Sequence, residues 1–256
     1  MLKNNVYKMR LKYQFIILFS FLYTYCSFGQ VSELDLQLAQ KYYIDAEYEK
    51  AILYYNKIAK EPNYKLKIYN NYYSSFIELK QFKNAEKLCK DIIKDFPNKL
   101  STVVDLGLLY GLDNKLDKKS QIFDKAIKQI SDKTLYNDAL DLGLAFEKIG
   151  DTDRALSTYL AFESSSKRNI FSFHEKTALL YNKKGEISKM INTFFEMLDQ
   201  SDNFLNTVQN GLINSIDFQN NLKEKEILRK FIIKKIQSES QKTIYIELLS
   251  WFYMTN

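Results

Sequence analysis

The chain has 256 residues, 46% hydrophobic and 27% charged, with a formal charge of +6. Its seven glycines and two prolines fall far below the average usage of roughly 7% and 5%. That excludes collagen-like and low-complexity chains, argues against turn-rich sandwiches and barrels, and with an apolar content too high for disorder leaves an all-α expectation.

The first element is a targeting segment. Residues 1–12 carry Lys3, Lys8, Arg10 and Lys12 and no acid, an apolar stretch Phe15–Leu22 follows, and small Ser27 and Gly29 close the segment. This pattern predicts a secretory signal peptide over 1–29, cut between Gly29 and Gln30. Its apolar core of about a dozen residues is short of the ~20 needed to span a bilayer. An uncleaved anchor and a lipoprotein processed at Cys26 are the alternatives; Tyr23 and Tyr25 stand where the second wants small residues, and Met9 is an alternative start. The signal implies export, to the periplasm or cell envelope of a bacterium. Without residues 1–29 the charge falls to +2, and Lys alternates with Asp and Glu as on solvated helix faces. A basic footprint for nucleic acid is absent. Cys89 is then the only cysteine, so an internal disulfide is excluded.

Apolar spacing predicts helices at 33–45, 48–60, 65–79, 82–95, 100–112, 116–131, 134–149, 152–166, 170–184 and 187–200. Weaker patterns follow at 203–218, 222–238 and 243–254. The helices come in pairs that repeat. Ala39-x-x-Tyr42, Tyr48, Ala51 and Tyr55 return 34 residues later as Tyr72-Tyr73-x-x-Phe76, Phe82, Ala85 and Cys89. Further copies read Gly107-x-x-Tyr110 with Leu116, Lys119 and Phe123, then Gly143-x-x-Phe146 with Gly150, Ala155 and Tyr159, then Ala178-x-x-Tyr181 with Gly185, Met190 and Phe194. The steps are 34, 34, 36 and 35 residues.

This period and residue pattern resembles the tetratricopeptide repeat, a helix–turn–helix of 34 residues. The resemblance implies a right-handed α-solenoid of stacked helix-turn-helix repeats, about five of them over 30–201. Residues 202–256 read as a degenerate helical hairpin and the first helix of an incomplete repeat. A looser likeness to long secreted repeat proteins of bacteria suggests an N-terminal portion of a longer protein. Small residues in the first helix (Ala39, Gly107, Gly143, Ala178) and second helix (Ala51, Ala85, Ala155) are expected to allow close helix approach. Tyr73, Lys119 and Met190 depart from the pattern and predict a wider separation or a different angle there. Gly150 and Gly185 are expected as left-handed helix ends, and Pro62 and Pro97 lie between repeats, where a helix must stop.

In this family the first helices line a concave groove. The residues that helical phase would place there are Leu36, Gln40, Tyr43, Asn70, Ser74, Ile77, Val104, Leu108, Leu112, Leu140, Leu144, Glu147, Leu179, Asn182 and Lys183. Its centre is apolar, which predicts an extended apolar peptide or an amphipathic helix as ligand. The Lys/Asn carboxylate clamp of some family members is not found. The alternative is that the array itself covers these leucines.

Catalytic signals are missing from the sequence. The glycines form neither GxGxxG nor GxxxxGK, HExxH and CxxC do not occur, and His174 is the only histidine. No cofactor, metal or small-molecule substrate is expected. His174 reads as a partly exposed surface residue and Cys89 as a packing thiol. Asp138, Asp141, Asp151 and Asp153 read as a solvated face and helix cap, and the tyrosine doublets 42–43, 54–55 and 72–73 as packing residues. The expectation is a non-catalytic scaffold of the cell envelope that binds a protein or peptide. The rival is a structural or assembly component, or the sensor segment of a larger complex. Ile244, Ile246, Leu248, Leu249, Trp251, Phe252 and Tyr253 make 243–256 strongly apolar, which suggests a missing partner helix or self-association through this end.

Overall fold

Strong apolar periodicity without strand signals leaves the backbone one way to satisfy its polar groups, and the computed structural model takes it. It describes residues 33–165 and 173–255. The expected signal peptide, its cut after Gly29, Cys26, residue 166 and residues 170–172 of the predicted helices, and Asn256 lie outside the described residues. The helices are α1 (Glu33–Ile44), α2 (Tyr48–Ile58), α3 (Lys65–Glu78), α4 (Phe82–Asp95), α5 (Thr102–Leu112), α6 (Leu116–Lys128), α7 (Tyr136–Lys148), α8 (Thr152–Ser165), α9 (His174–Lys183), α10 (Ile187–Gln200), α11 (Leu205–Ser215), α12 (Leu222–Ser238) and α13 (Ile244–Thr255). Short 3₁₀ turns at Pro62–Tyr64 and Asp202–Phe204 lead into α3 and α11. No strand occurs among the described residues, and none of their helices is long and apolar enough to cross a membrane.

The chain divides into two compact units, Met1–Ile92 and Ile93–Asn256, with the boundary in the last turn of α4. In the first unit α1 pairs with α2, and α2 packs on α3. Its buried residues include Ala39, Ala51, Tyr55, Ile58, Tyr72, Phe76, Ala85 and Cys89. In the second unit α5 pairs with α6, α7 with α8 and α9 with α10; α6 also lies on α8 and α5 on α7. One cluster there gathers Phe123, Leu142, Phe146, Tyr159, Phe162 and Phe173. The other joins Met190, Phe194 and Phe195 to Leu228, Ile232, Tyr245, Leu248 and Phe252. Each unit is all-α and stacked from tetratricopeptide-like helical hairpins in the manner of an α-solenoid.

The hairpin turns repeat in backbone detail. Ala46, Lys80, Asn114, Gly150 and Gly185 all have φ between 55° and 76°, at the steps of 34, 34, 36 and 35 residues read from the sequence. Each turn closes with two hydrogen bonds. At the first, Ala46 N–H donates to Tyr43 O at 3.1 Å and Glu47 N–H to Tyr42 O at 2.8 Å; at the fourth, Gly150 N–H reaches Glu147 O and Asp151 N–H reaches Phe146 O, both at 3.0 Å. These pairs satisfy the orphan carbonyls of the first helix and set its C-terminus. The next helix starts at once, and in α8 Asp151 Oδ1 caps it by accepting from Arg154 N–H at 3.2 Å.

The small residues act by size. A Cβ on Gly107 would overlap the ring of Phe123, and one on Gly143 the ring of Tyr159. The second repeat inverts the pair: Tyr73 stands in the small slot and Cys89 in the aromatic one. Buried Cys89 leaves room for Tyr69, whose hydroxyl lies 3.4 Å from Cys89 Sγ, and Tyr69 stacks on Tyr73 at 5.9 Å. Met190 is fully buried. Half-buried Lys119 puts its ammonium 5.7 Å from the centre of the Phe123 ring.

Candidate functional site

Hairpin packing decides which side chains remain for a partner. In the second unit, each buried small residue of a first helix is followed by a leucine at the same register: Leu108 after Gly107, Leu144 after Gly143, Leu179 after Ala178. Leu108 is half-buried, while Leu144 and Leu179 are 42% and 41% exposed. Half-buried Leu140 packs against the core beneath it, and Leu112 is exposed. Helical geometry puts residues three and four apart on one face, so Leu140 and Leu144 form one apolar stripe on α7. In the first unit the leucine register holds exposed Gln40 and half-buried Ser74, so that face is polar.

The expected groove residues therefore fall into two sets. Leu36, Tyr43, Asn70 and Ile77 belong to the first unit; Leu36 and Ile77 are half-buried, Asn70 is exposed, and Tyr43 packs edge-on to Tyr48 at 5.9 Å. Among the second set Val104 is a correction. It is 1% exposed and part of the core, buried in the cluster that holds Leu100, Phe123 and Leu142, whereas Leu140 at the same register stays half-exposed. Leu108, Leu112, Leu140, Leu144, Leu179, Asn182 and Lys183 keep at least partial exposure. Glu147 is engaged: Tyr159 donates its hydroxyl to Glu147 Oε1 at 2.5 Å. Burial, then the nearby Glu147 carboxylate, hold the Tyr159 phenol well above its ordinary range.

His174 departs from the surface reading. Its side chain is mostly enclosed, with Nδ1 2.8 Å from Glu163 Oε1 and Nε2 3.5 Å from Glu196 Oε2. Glu163 Oε1 also accepts Phe173 N–H at 2.8 Å. This cluster links α8, α9 and α10, and nothing in a lone histidine in the sequence could have signalled two carboxylates from other helices. It borders a cleft of about 380 Å³ whose walls include Leu160, Thr177, Tyr181 and Phe231. A second cleft of about 460 Å³ lies in the first unit, walled by Asn56, Tyr72, Phe76 and Asp91 among others. Among the described residues, no group of three or more His, Cys, Asp or Glu is arranged to hold a metal ion.

No family model matches the chain, and no curated protein matches it. Solved structures do. A crystal structure of MamA protein is similar at 16% identity, over 68% of this chain and 93% of that one, with a TM-score of 0.35. TTC0263, a thermophilic TPR protein of Thermus thermophilus, is similar at 16% identity, over 71% and 98%, with a TM-score of 0.35. The structure of Naa15/Naa10 bound to HypK-THB gives 13% identity, over 84% of this chain but 36% of that one, with a TM-score of 0.37.

Proposed function

We propose that the chain is a non-catalytic protein-binding scaffold, exported to the bacterial cell envelope. Its binding face is the first-helix side of the second unit, and its ligand an extended apolar peptide or amphipathic helix. The observation that carries this reading is the exposure of Leu144 and Leu179 beside fully used packing positions. The fold asks for no apolar residue there, yet leucine recurs at that register. Burying such side chains under a partner contributes about 25 cal/mol per Å² of apolar area before ordering costs. Export rests on the basic start, short apolar core and Ser27/Gly29 spacing.

The test is affinity capture from an envelope extract with the exported chain, its N-terminus sequenced first. A mature start at Gln30 is expected, and retention of Phe15–Leu22 overturns the export reading. Leu144→Asp and Leu179→Asp should abolish capture and leave helical circular dichroism unchanged. Unaltered capture, or an unfolded variant, removes that leucine from the site.

A second mode of association is supported at α13. Its inner face is buried through Ile244, Tyr245, Leu248 and Phe252, but Ile246, Tyr253 and Met254 remain exposed. We assign that outer face to self-association.

A further inference from the structure

The second unit leaves two apolar faces open, and they lie on different elements. One is the row of Leu108, Leu144 and Leu179 on α5, α7 and α9; the other is the outer side of α13. Their shapes and charges correspond.

The outer side of α13 carries a narrow stripe. Ile246, Ser250 and Met254 recur every four residues, so they stand one above another on one face, and all three are exposed. The serine does not make the stripe polar. Its hydroxyl donates to the Ile246 carbonyl of its own helix at 3.0 Å, so its donor stays satisfied when the stripe is covered. Its small size leaves a notch between two large side chains. Glu247, at the edge of the stripe, is the only charged residue between Ile244 and Thr255.

The leucine row is edged with the opposite charge. One turn beyond Leu144 and Leu179, on the same faces, stand Lys148 and Lys183, both exposed. Neither lysine takes part in a salt bridge among the described residues, and nor does Glu247. The acids nearest Leu144 are already engaged, Asp141 by Lys99 and Glu147 by the Tyr159 hydroxyl. Exposed Glu175, one turn before Leu179, marks the other edge of the row. A helix with one acid beside an apolar stripe is thus oriented, its acid towards the lysine edge. The length fits as well. Ile246 to Met254 rises about 12 Å, and packed helices such as α5 and α7 lie about 8–10 Å apart. The stripe therefore reaches from Leu144 to the leucine of a neighbouring first helix.

A copy does not serve itself. Tyr245, Leu248 and Phe252 seat α13 in the core, and with the helix so seated both Leu144 and Met254 remain exposed. We propose that the leucine row receives α13 of a second copy, so that copies join head to tail. This rests on the two readings above, the leucine face as a helix-binding site and the outer side of α13 as a self-association surface, and makes each the occupant of the other. Donor and acceptor are different surfaces, so every copy added presents a fresh one of each, and assembly does not stop at two.

The experiment pairs two variants of the mature chain in sedimentation velocity at tens of micromolar. Leu144→Asp disables the row and keeps α13; Ile246→Lys with Met254→Lys disables α13 and keeps the row. Each alone should sediment as one copy with unchanged helical circular dichroism, whereas the wild type should grow past two copies as concentration rises. Mixed in equal amounts, the variants should recover association but form pairs and nothing larger, because each pair uses the one intact stripe and the one intact row. If Leu144→Asp unfolds, Leu179→Asp takes its place in the same mixture. A mixture that stays at one copy overturns the proposal. Parent-like association of the row variant does so too, but leaves self-association through α13 standing. A wild-type chain that stays at one copy overturns both, and leaves capture of another protein by the leucine face untouched.

Discussion

Glycine carries two opposite roles on α5 and α7. A Cβ on Gly143 would overlap the ring of Tyr159, which is itself fixed by its bond to Glu147. At Gly111 the nearest atom to a Cβ would be Lys119 Cδ at 3.4 Å, the mobile stem of a lysine. Gly143→Ala should therefore lower stability by about 1–3 kcal/mol, the range for overpacking. Gly111→Ala should raise it by up to about 1 kcal/mol, since alanine is the better helix former. Chemical denaturation of both variants checks the pair, and a destabilised Gly111→Ala would show that α5 and α6 are closer than a lysine stem allows. Sequence alone marked Gly107 and Gly143 as close-approach residues, because both recur at the repeat step. It could not mark Val104 as core. Val104 and Leu140 share a register, and only the local packing of α5 and α7 buries one and half-exposes the other.

Helices were legible almost to their ends because the turns between them are punctuated by the same left-handed residue and the same pair of backbone bonds. The predicted 82–95, 187–200 and 222–238 coincide with α4, α10 and α12. Ala46, Lys80 and Asn114 adopt the glycine conformation without being glycine, so glycine marked only two of the five turns. Less legible was how α12 and α13 attach, which depends on a polar cluster drawn from three helices and their links. Asp199 accepts from Lys235 at 2.5 Å, from the Tyr245 hydroxyl at 2.7 Å and from Lys242 at 3.2 Å, and Glu239 holds both lysines. Burial pushes the Asp199 carboxyl up, but the bonds from Lys235, Tyr245 and Lys242 outweigh it and leave the group below its usual range. A carboxylate whose folded pKa is depressed stabilises the fold above its unfolded pKa of about 3.9, and that contribution fades as pH falls through the folded value. Stability contributed at α13 should thus be complete at neutral pH and lost under acid. Asp199→Asn should lower the melting temperature at pH 7 and narrow its gap to wild type as pH drops below about 4. A gap that stays constant with pH would mean that Asp199 contributes through packing and not through charge.

At the scale of the whole molecule the open question is how many copies work together. Removal of residues 1–29 leaves a formal charge of +2, and so weak a net charge gives little repulsion between copies. The outer face of α13 offers Ile246 at 51%, Tyr253 at 57% and Met254 at 79% exposure, a turn or two apart along one helix. The inner face does not compete for a partner, because Tyr245, Leu248 and Phe252 are already sealed against Phe195, Leu228 and Phe218 in the second unit's core. The fold of α13 is thereby independent of any partner on its outer side, so variants there should perturb association without unfolding the chain. Single exposed hydrophobic residues are ordinary on protein surfaces, whereas grouped ones mark contact sites. Light scattering of the mature chain should give a mass above that of one copy at tens of micromolar concentration. Ile246→Lys with Met254→Lys should return it to one copy with an unchanged melting temperature, since surface substitutions away from packed features usually shift stability by about 0.5 kcal/mol or less. A wild-type chain that remains a monodisperse monomer over that range rules the α13 contact out, and so does a double variant that associates as strongly as the parent.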